Sequence, residues 1–136
     1  VPMESTIGHI YLYVSDLARS HSFYKKILIP LGYSELLNED WGYAFINNGT
    51  SLFFEQAPED HVQEGYHRRR IGLNHIAFKV DSREAVDTFF KDVIVSNKFK
   101  VLYDTPKAFP EYGQHYYAVF FEDPDGIKLE VAYYAE

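Results

Sequence analysis

The sequence predicts an α+β fold made of two βαβββ modules, and three observations support this prediction. Residues 7–16 and 73–82 resemble each other, and both place a histidine near the start of an alternating strand. A segment with apolar residues at helical spacing follows each strand, and strand-like runs follow each helical segment. Such internal similarity indicates a repeated structural unit. We expect a single domain, residues 1–136, with modules at about 5–57 and 71–135.

The first strand of each module has two chemically different faces. Apolar residues alternate along it, beginning at Ile10 in one module and Ile76 in the other, and alternate residues of a strand point to opposite faces. Both histidines are therefore expected on the other face. That face carries His9, Tyr11 and Tyr13 in the first module and His75, Ala77 and Lys79 in the second.

Each first strand leads into a predicted helix. The segment Leu17–Leu28 carries an apolar stripe, and Gly32 is placed to help end it. The second helix has the same pattern around residues 85–93, and Asp81 and Glu84 have the spacing of a capping box at its start. The spacing thus predicts one amphipathic helix in each module.

Three further strands are predicted in each module. Asn48-Gly49 is a hairpin signal between two of them. Residues 57–70 are the predicted linker between the modules, and an insertion is expected in the second module around residues 105–115. The predicted strands are Tyr33–Leu37, Tyr43–Asn47 and Ser51–Gln56, then Lys100–Tyr103, Tyr116–Glu122 and Lys128–Tyr133.

Composition excludes several classes of function. The formal net charge is −7, whereas binding to nucleic acid usually needs a basic face. No uncharged apolar run reaches the roughly 18 residues of a membrane span, and no signal-peptide pattern opens the chain. The absence of cysteine excludes thiolate metal sites and cysteine nucleophiles. We therefore expect a cytoplasmic protein that binds neither nucleic acid nor membranes.

A carboxylate lies within an apolar strand of each module, Glu55 in the first and Glu130 in the second. Such a position is costly unless the charge is paired or bound to a metal ion. With His9 and His75, these residues form two matched pairs, which predict a site for one divalent ion: Zn²⁺, Ni²⁺, Co²⁺, Mn²⁺ or Fe²⁺. The alternative is that all four are ordinary polar residues on outward faces of the sheets.

Four stretches of the chain carry a resemblance to a known family. They are Gly8-His9-Ile10, Ser22-Phe23-Tyr24 followed by Leu31-Gly32, Asn74-His75-Ile76-Ala77-Phe78, and the terminal stretch from Phe120 to Glu130 that contains Asp123-Pro124-Asp125-Gly126. From Ile7 to about Tyr134, the sequence resembles the vicinal-oxygen-chelate superfamily, the group of glyoxalases, bleomycin-resistance proteins and dioxygenases. The terminal stretch by itself is specific for this family, whereas the other three stretches indicate the family mainly in combination.

The resemblance implies paired βαβββ modules whose mixed sheets curl into a metal-binding cup, the glyoxalase-like fold. In lactoylglutathione lyases of the family, the ligand positions match His9, Glu55, His75 and Glu130. The resemblance also implies that the metal chelates two neighbouring oxygens of a small substrate and stabilises an oxyanion or enediolate. It makes Glu130, and next Glu55, the general base, and it implies a homodimer.

The sequence does not determine the substrate. Tyr13 stands where glutathione-dependent lyases of the family carry an arginine, so the thiol involved, if any, is undetermined. A non-catalytic module that sequesters an aromatic or drug-like ligand is a second interpretation, since 18% of the residues are aromatic. An extradiol-type dioxygenase, for which the family uses two His and one Glu, is a third.

Several side chains share a face with the proposed ligands and would shape a substrate pocket. They are Tyr11, Tyr13, Phe53, Lys79 and Lys128. Arg68-Arg69-Arg70 precedes the second module and either forms a solvated linker face or grips an anionic substrate tail. The expected partner is therefore a small molecule.

Overall fold

The computed structural model describes residues 1–135 and divides into two compact units, one ending at Gly65 and the other beginning at Tyr66. Each unit contains a four-stranded mixed sheet and at least one helix. The order of elements is βαβββ in both units once the short helical segments are set aside. The predicted α+β fold of two βαβββ modules is thereby confirmed.

The N-terminal unit combines a mixed sheet with one long helix. Its elements are β1 (His9–Val14), α1 (Leu17–Leu28), β2 (Ser34–Asn38), β3 (Gly42–Asn47), β4 (Thr50–Gln56) and the short α2 (Glu59–Val62). The strand order is β1-β4-β3-β2, with β1 parallel to β4 and the other neighbours antiparallel. Helix α2 lies within the segment that was predicted as a linker.

Helix α1 spans the predicted residues, and both of its ends are capped. At the start, the Asp16 side chain accepts a hydrogen bond from the backbone N–H of Arg19. At the far end, Gly32 adopts a φ of +93°, and the Tyr33 N–H bonds back to the Leu28 carbonyl. Local sequence chemistry therefore sets both ends of this helix.

The core of the N-terminal unit is largely aromatic. The ring centroid of Tyr24 on α1 lies 4.3 Å from that of Phe54 on β4, and Phe54 stacks on Tyr43 at 4.7 Å. The Tyr43 hydroxyl lies 2.5 Å from Ser20 Oγ, so two buried hydroxyls satisfy each other. These contacts fasten the helix to its sheet.

Asn48 and Gly49 connect β3 to β4 in a tight hairpin, as predicted. Their φ angles are +50° and +81°, and Asn47 pairs with Thr50 across the turn. A two-residue hairpin of this kind needs positive φ at both central positions, which Asn and Gly tolerate best.

The C-terminal unit repeats the plan with a longer third segment. Its elements are β5 (Ile76–Val80), α3 (Arg83–Phe89) with a π-helical continuation (Phe90–Val95), β6 (Val101–Ala108), a 3₁₀ turn (Pro110–Tyr112), β7 (Tyr117–Glu122) and β8 (Lys128–Tyr133). The strand order is β5-β8-β7-β6, with β5 parallel to β8. Within residues 1–135, none of the helices is both long and apolar enough to cross a membrane.

Strand β6 is longer than predicted and runs through part of the expected insertion at residues 105–115. Its pairing with β7 shifts between Leu102 and Lys107. Within this interval, Tyr103 and Asp104 adopt φ angles of +61° and +55°. A bulge of this kind bends the strand and re-aims its side chains. The additional residues of the second module therefore bulge a strand as well as forming a loop.

Ser82, rather than Asp81, caps helix α3. Ser82 has extended backbone angles, and its Oγ accepts a hydrogen bond from the Ala85 N–H at 3.0 Å. The predicted capping box beginning at Asp81 is therefore wrong by one residue. Both residue types can cap a helix, and only the backbone shows which one has the required conformation.

Ser82→Ala is expected to lower the free energy of unfolding by about 1 kcal/mol, because the Ala85 N–H loses its capping oxygen. Urea denaturation of the full chain measures this difference. The matched variant Asp81→Ala should change the stability by less than about 0.5 kcal/mol. A larger loss for Asp81→Ala than for Ser82→Ala would contradict the assignment of the cap.

Candidate metal centre

In the C-terminal unit, a histidine and a glutamate meet on one face of the sheet. Ala77 of β5 pairs with Glu130 of β8, so His75, two residues earlier on the same side, lies beside that carboxylate. His75 Nε2 is 3.0 Å from Glu130 Oε1. The Glu130 side chain is 1% exposed and the His75 side chain 33% exposed. The two predicted ligands of this module thus form a pair with a buried carboxylate and an accessible imidazole.

Asn74 contacts the other nitrogen of the His75 ring. Asn74 Oδ1 lies 2.7 Å from His75 Nδ1, and because an amide oxygen only accepts hydrogen bonds, this orientation of the amide favours a proton on Nδ1. Nε2 faces Glu130 Oε1 at 3.0 Å, so a proton on Nε2 makes this contact an ordinary hydrogen bond to the carboxylate. A divalent ion between the two atoms is the alternative.

The second oxygen of Glu130 is occupied by Tyr116. The Tyr116 hydroxyl donates to Glu130 Oε2 at 2.5 Å. Burial, together with this hydrogen bond to the carboxylate, raises the pKa of Tyr116 well above its ordinary value, so the hydroxyl remains a donor. Groups that bind metals are commonly held in place by such outer hydrogen bonds. Asn74 and Tyr116 therefore orient both members of the pair.

The geometry of the pair fits a divalent metal ion. Imidazole nitrogen and carboxylate oxygen bind such ions at about 2.0–2.2 Å, so two ligands are about 3.0 Å apart at the angle of an octahedral site and about 3.3–3.6 Å apart at that of a tetrahedral site. The separation of His75 Nε2 and Glu130 Oε1, 3.0 Å, matches the octahedral value and is also that of a direct hydrogen bond. Two ligands are fewer than the three protein ligands of typical catalytic zinc sites. Further ligands are needed to hold an ion tightly.

The N-terminal unit arranges its histidine and glutamate differently. Glu55 Oε1 accepts a hydrogen bond from the Tyr11 hydroxyl at 2.5 Å, and this bond raises the pKa of Tyr11. Glu55 pairs with Tyr13, four residues beyond His9 along β1, and four residues of strand span about 13 Å. His9 contacts the edge of the Phe53 ring instead, with ring centroids 5.4 Å apart.

The sheet register identifies Phe53, rather than Glu55, as the counterpart of Glu130. In each unit, the residue two positions after the histidine on the first strand has one partner on the last strand, and these two partners are equivalent positions. In the C-terminal unit that residue pairs with Glu130, and in the N-terminal unit it pairs with Phe53. The expectation that Glu55 and Glu130 occupy equivalent positions is therefore wrong. Glu55 lies two residues further along its strand, on the same face.

The set of four ligands, His9, Glu55, His75 and Glu130, stays a prediction. Of these residues, the structure brings His75 and Glu130 together and gives Glu55 a phenol as its partner. In the part of the chain that the structure describes, no group of three or more His, Asp or Glu side chains could hold a metal ion by itself.

Both predicted pocket lysines lie over aromatic rings on the face that carries the His75–Glu130 pair. The Lys79 ammonium is 4.6 Å from the ring centroid of Tyr134. The Lys128 ammonium is 4.8 Å from the centroids of both Phe120 and Tyr103. A cation in this position is attracted by the electron-rich ring face.

The three predicted pocket residues of the N-terminal unit form an aromatic surface. Tyr11 stacks on Phe53 with ring centroids 5.6 Å apart. Tyr11 and Tyr13 are 48% and 56% exposed, so both rings are accessible from solvent. Their part in a substrate pocket stays a prediction.

Sequence reasoning did not assign Asn74 or Tyr116 a part in orienting the proposed ligands. Asn74 was visible only as the neighbour of His75, and its effect depends on a side-chain rotamer that spacing does not reveal. Tyr116 carried a usable signal, since alternation before and along β7 puts it on the face of Phe120, which pairs with Glu130. Pairing that strand with β8 would have put the phenol on the same face of the sheet as the carboxylate.

One residue of the Arg68-Arg69-Arg70 cluster forms hydrogen bonds within the C-terminal unit. Arg68 donates hydrogen bonds to the Glu122 carboxylate and to the Gly126 carbonyl, which fastens the segment before β5 to the turn after β7. Arg69 and Arg70 are exposed. Recognition of an anionic substrate tail by this cluster stays a prediction, whereas Arg68 has a structural contact.

Known proteins resemble this chain in sequence and in fold. The chain is 40% identical over 123 residues to the uncharacterized protein YqjT of Bacillus subtilis (strain 168), a match that covers 90% of this chain and 94% of that protein. A candidate glyoxalase from Bacillus halodurans has a solved structure with a TM-score of 0.88 at 32% identity, covering 96% of this chain and 97% of that one. Lactoylglutathione lyase from Agrobacterium tumefaciens shares the fold, with a TM-score of 0.68, 20% identity and coverage of 96% and 94%.

A family model also matches most of the chain. It describes the Glyoxalase/Bleomycin resistance protein/Dioxygenase superfamily, and it matches residues 6–131. The matched range begins before β1, ends within β8 and includes the His75–Glu130 pair. This protein therefore belongs to the glyoxalase/bleomycin resistance protein/dioxygenase superfamily.

Proposed function

We propose that this protein is a metal-dependent lyase or isomerase of the glyoxalase type that acts on a small molecule with two neighbouring oxygens. The contact between His75 and Glu130 carries the proposal. Nε2 of the accessible imidazole and Oε1 of the buried carboxylate converge at 3.0 Å, where a divalent ion can replace the proton of a direct hydrogen bond. A divalent metal ion held there would supply a Lewis acid for the two substrate oxygens.

His9 and Glu55 are the proposed further ligands, from the same chain or from a second copy in a homodimer. His9 is exposed at the start of its strand, which leaves the imidazole accessible. Glu55 is already hydrogen-bonded to Tyr11, and the register gives its equivalent position to Phe53. His9 is therefore the stronger candidate for the third ligand and Glu55 the weaker candidate for a fourth.

Glu130 is the proposed general base, with Glu55 as the next candidate. Tyr116 holds Glu130 Oε2, which fixes the carboxylate while Oε1 faces His75. The Phe120 ring is 5% exposed and lies edge-on to the imidazole with centroids 5.9 Å apart, so it limits the approach of water from that side. A fixed, weakly hydrated carboxylate is suited to moving a proton on a bound substrate.

An extradiol-type dioxygenase is a second candidate, and the position of Phe53 favours it. If the place that corresponds to Glu130 is Phe53 and Glu55 is not a ligand, the proposed ligand set would be His9, His75 and Glu130. Two imidazoles and one carboxylate with open positions are typical of non-haem Fe²⁺ oxygenases. Oxygen uptake by the Fe²⁺-loaded protein with catechols as substrates would support this candidate over the lyase.

Metal analysis of the purified full chain tests the proposed function. After removal of metal with a chelator, the protein is reloaded with Zn²⁺, Ni²⁺, Co²⁺, Mn²⁺ or Fe²⁺ in separate samples. We expect about one tightly bound ion per site and metal-dependent turnover of 2-oxoaldehydes in the presence of a suitable thiol. A folded protein that binds none of these ions would overturn the proposal.

Tyr116→Phe is expected to weaken binding of the metal ion by about 10-fold, because Glu130 loses the hydrogen bond that orients it. Competition titration against a coloured chelator measures the affinity, and the spectrum of the Co²⁺-loaded protein reports on the ligand geometry. The matched control is Tyr117→Phe, which removes the hydroxyl of the next residue, bonded to Asp87. Equal metal affinity in Tyr116→Phe and the unmodified protein would contradict the role of Tyr116.

A further inference from the structure

Lys128 lies on the same face of the C-terminal sheet as Glu130, two residues before it on β8. Two residues of strand span about 6–7 Å, so the Lys128 side chain starts close to the His75–Glu130 pair. Its ammonium group is 4.8 Å from the ring centroids of both Phe120 and Tyr103. Phe120 in turn touches the His75 imidazole. The lysine is therefore separated from the candidate metal centre by a single ring.

The acidic residue across the strand from Lys128 does not neutralise it. Glu122 pairs with Lys128 in the β7–β8 register. The Glu122 carboxylate is instead engaged by Arg68 through Oε2 and by Lys100 through Oε1, the latter at 3.2 Å. Within residues 1–135, Lys128 forms no ion pair, and its ammonium contacts ring faces. Three N–H donors of this group therefore remain available to an anion.

The backbone is strained at Tyr103, whose ring contacts the Lys128 ammonium. Tyr103 and Asp104 both have positive φ, +61° and +55°, at the bulge in β6. Positive φ is unfavourable for a bulky residue such as tyrosine, and such strain is concentrated at functional sites. The bulge places the Tyr103 ring against Phe120, with centroids 5.5 Å apart, and beneath the Lys128 ammonium.

We propose that Lys128, Phe120 and Tyr103 form a subsite for an anionic group of the substrate. The inference rests on the proposed function, because it assumes that the substrate oxygens bind at the His75–Glu130 pair. The anionic group then lies a few bonds from those oxygens, at the distance of two strand residues. The substrate class is a small carboxylate with a flat carbon skeleton and two neighbouring oxygens, its flat part against the Tyr103 ring, which is 50% exposed, and its charge on Lys128.

The test compares two probes that differ in one charge, 3,4-dihydroxybenzoate and 3,4-dihydroxybenzamide. Both carry the same neighbouring oxygens, and calorimetry with the zinc-loaded full chain measures their dissociation constants. The ratio of the two constants is compared between proteins, so that intrinsic differences between the probes cancel. Lys128→Met is expected to reduce the relative preference for the acid by about 10-fold, while the amide binds as before.

Two control variants separate the charge from its position. Lys128→Arg should keep the preference for the acid, because the positive charge remains. Lys107→Met should also keep it, since Lys107 likewise lies over a ring of this unit, 5.3 Å from the centroid of Phe109, but outside the proposed subsite. An unchanged ratio in Lys128→Met, or failure of both probes to bind the unmodified protein, overturns the subsite.

A zinc-free sample distinguishes failure of the subsite from failure of the proposed function. If removal of zinc leaves both affinities unchanged, the oxygens are not chelated, and the proposed function fails. A preference for the acid that still depends on Lys128 under those conditions supports the anion subsite alone. If binding of the probes requires zinc but the ratio of their dissociation constants is unchanged in Lys128→Met, the subsite is wrong and the metal centre is supported.

Discussion

Glu130→Gln is expected to weaken binding of a divalent ion by more than about 100-fold, since loss of an outer hydrogen bond alone costs about 10- to 100-fold. The substitution removes the negative charge that faces His75 Nε2 at 3.0 Å. It keeps the size and shape of the side chain, so the loss reports on charge and not on packing. Competition titration with a coloured chelator measures the affinity, and turnover should fall with it.

The same variant should leave the metal-free fold intact. The new amide can donate from its nitrogen to His75 Nε2 and accept from the Tyr116 hydroxyl with its oxygen, so every polar atom keeps a partner. We therefore expect the free energy of unfolding of the metal-free protein to change by less than about 1 kcal/mol. Chemical denaturation in the presence of a chelator measures it.

Glu122→Gln is the matched control for this prediction. It neutralises a carboxylate on the neighbouring strand that belongs to an ion-pair network with Arg68 and Lys100. Its metal affinity should stay within about 3-fold of the unmodified protein, because this carboxylate is engaged by Arg68 and Lys100 and does not face His75. Metal binding that survives Glu130→Gln unchanged would remove Glu130 from the candidate centre and the proposed function with it.

Most of the fold could be predicted because local chemistry and periodicity determine it. The helix Leu17–Leu28 has its ends fixed by an Asp cap and a glycine, and β8 has the predicted bounds Lys128–Tyr133. The Asn48-Gly49 hairpin depends on two adjacent residues that accept positive φ. Features that depend on neighbours in sequence were therefore accessible.

The site was only partly predictable, because the comparison of Glu55 with Glu130 depends on the register between strands that are distant in sequence. Phe53 and Glu55 lie on the same face of β4, so alternation along the strand cannot show which one corresponds to Glu130. That choice follows from the pairing of β1 with β4, which involves contacts more than 40 residues apart in sequence. The equivalence of the two glutamates failed for this reason.

Outer contacts of the site were harder to predict for a related reason. The role of Asn74 depends on the rotamer that aims its amide oxygen at His75, and the role of Tyr116 depends on how β7 pairs with β8. The choice of Ser82 over Asp81 as the cap of α3 similarly depends on backbone angles. Residue types indicated what was possible at these positions, and the three-dimensional arrangement selected one outcome.

Gly42→Ala is expected to lower the free energy of unfolding by about 1–3 kcal/mol, the usual cost of forcing an extra methyl group into a well-packed position. Gly42 begins β3 and pairs with Glu55 of β4. A Cβ at this position would lie 2.3 Å from the Phe54 carbonyl oxygen, and that atom belongs to the backbone. The clash cannot be relieved by a side-chain rotation, so the two strands must move apart.

Gly8→Ala is the matched control, because a Cβ there would meet no atom within 4 Å. Its effect should be neutral or a gain of up to about 1 kcal/mol, since alanine restricts the unfolded chain more than glycine does. Urea denaturation of both variants measures the difference. Because Gly42 pairs with Glu55, separation of β3 from β4 should also disturb the hydrogen bond between Glu55 and Tyr11. Equal stability of the two variants would contradict the close approach of β3 to β4 that positions this carboxylate.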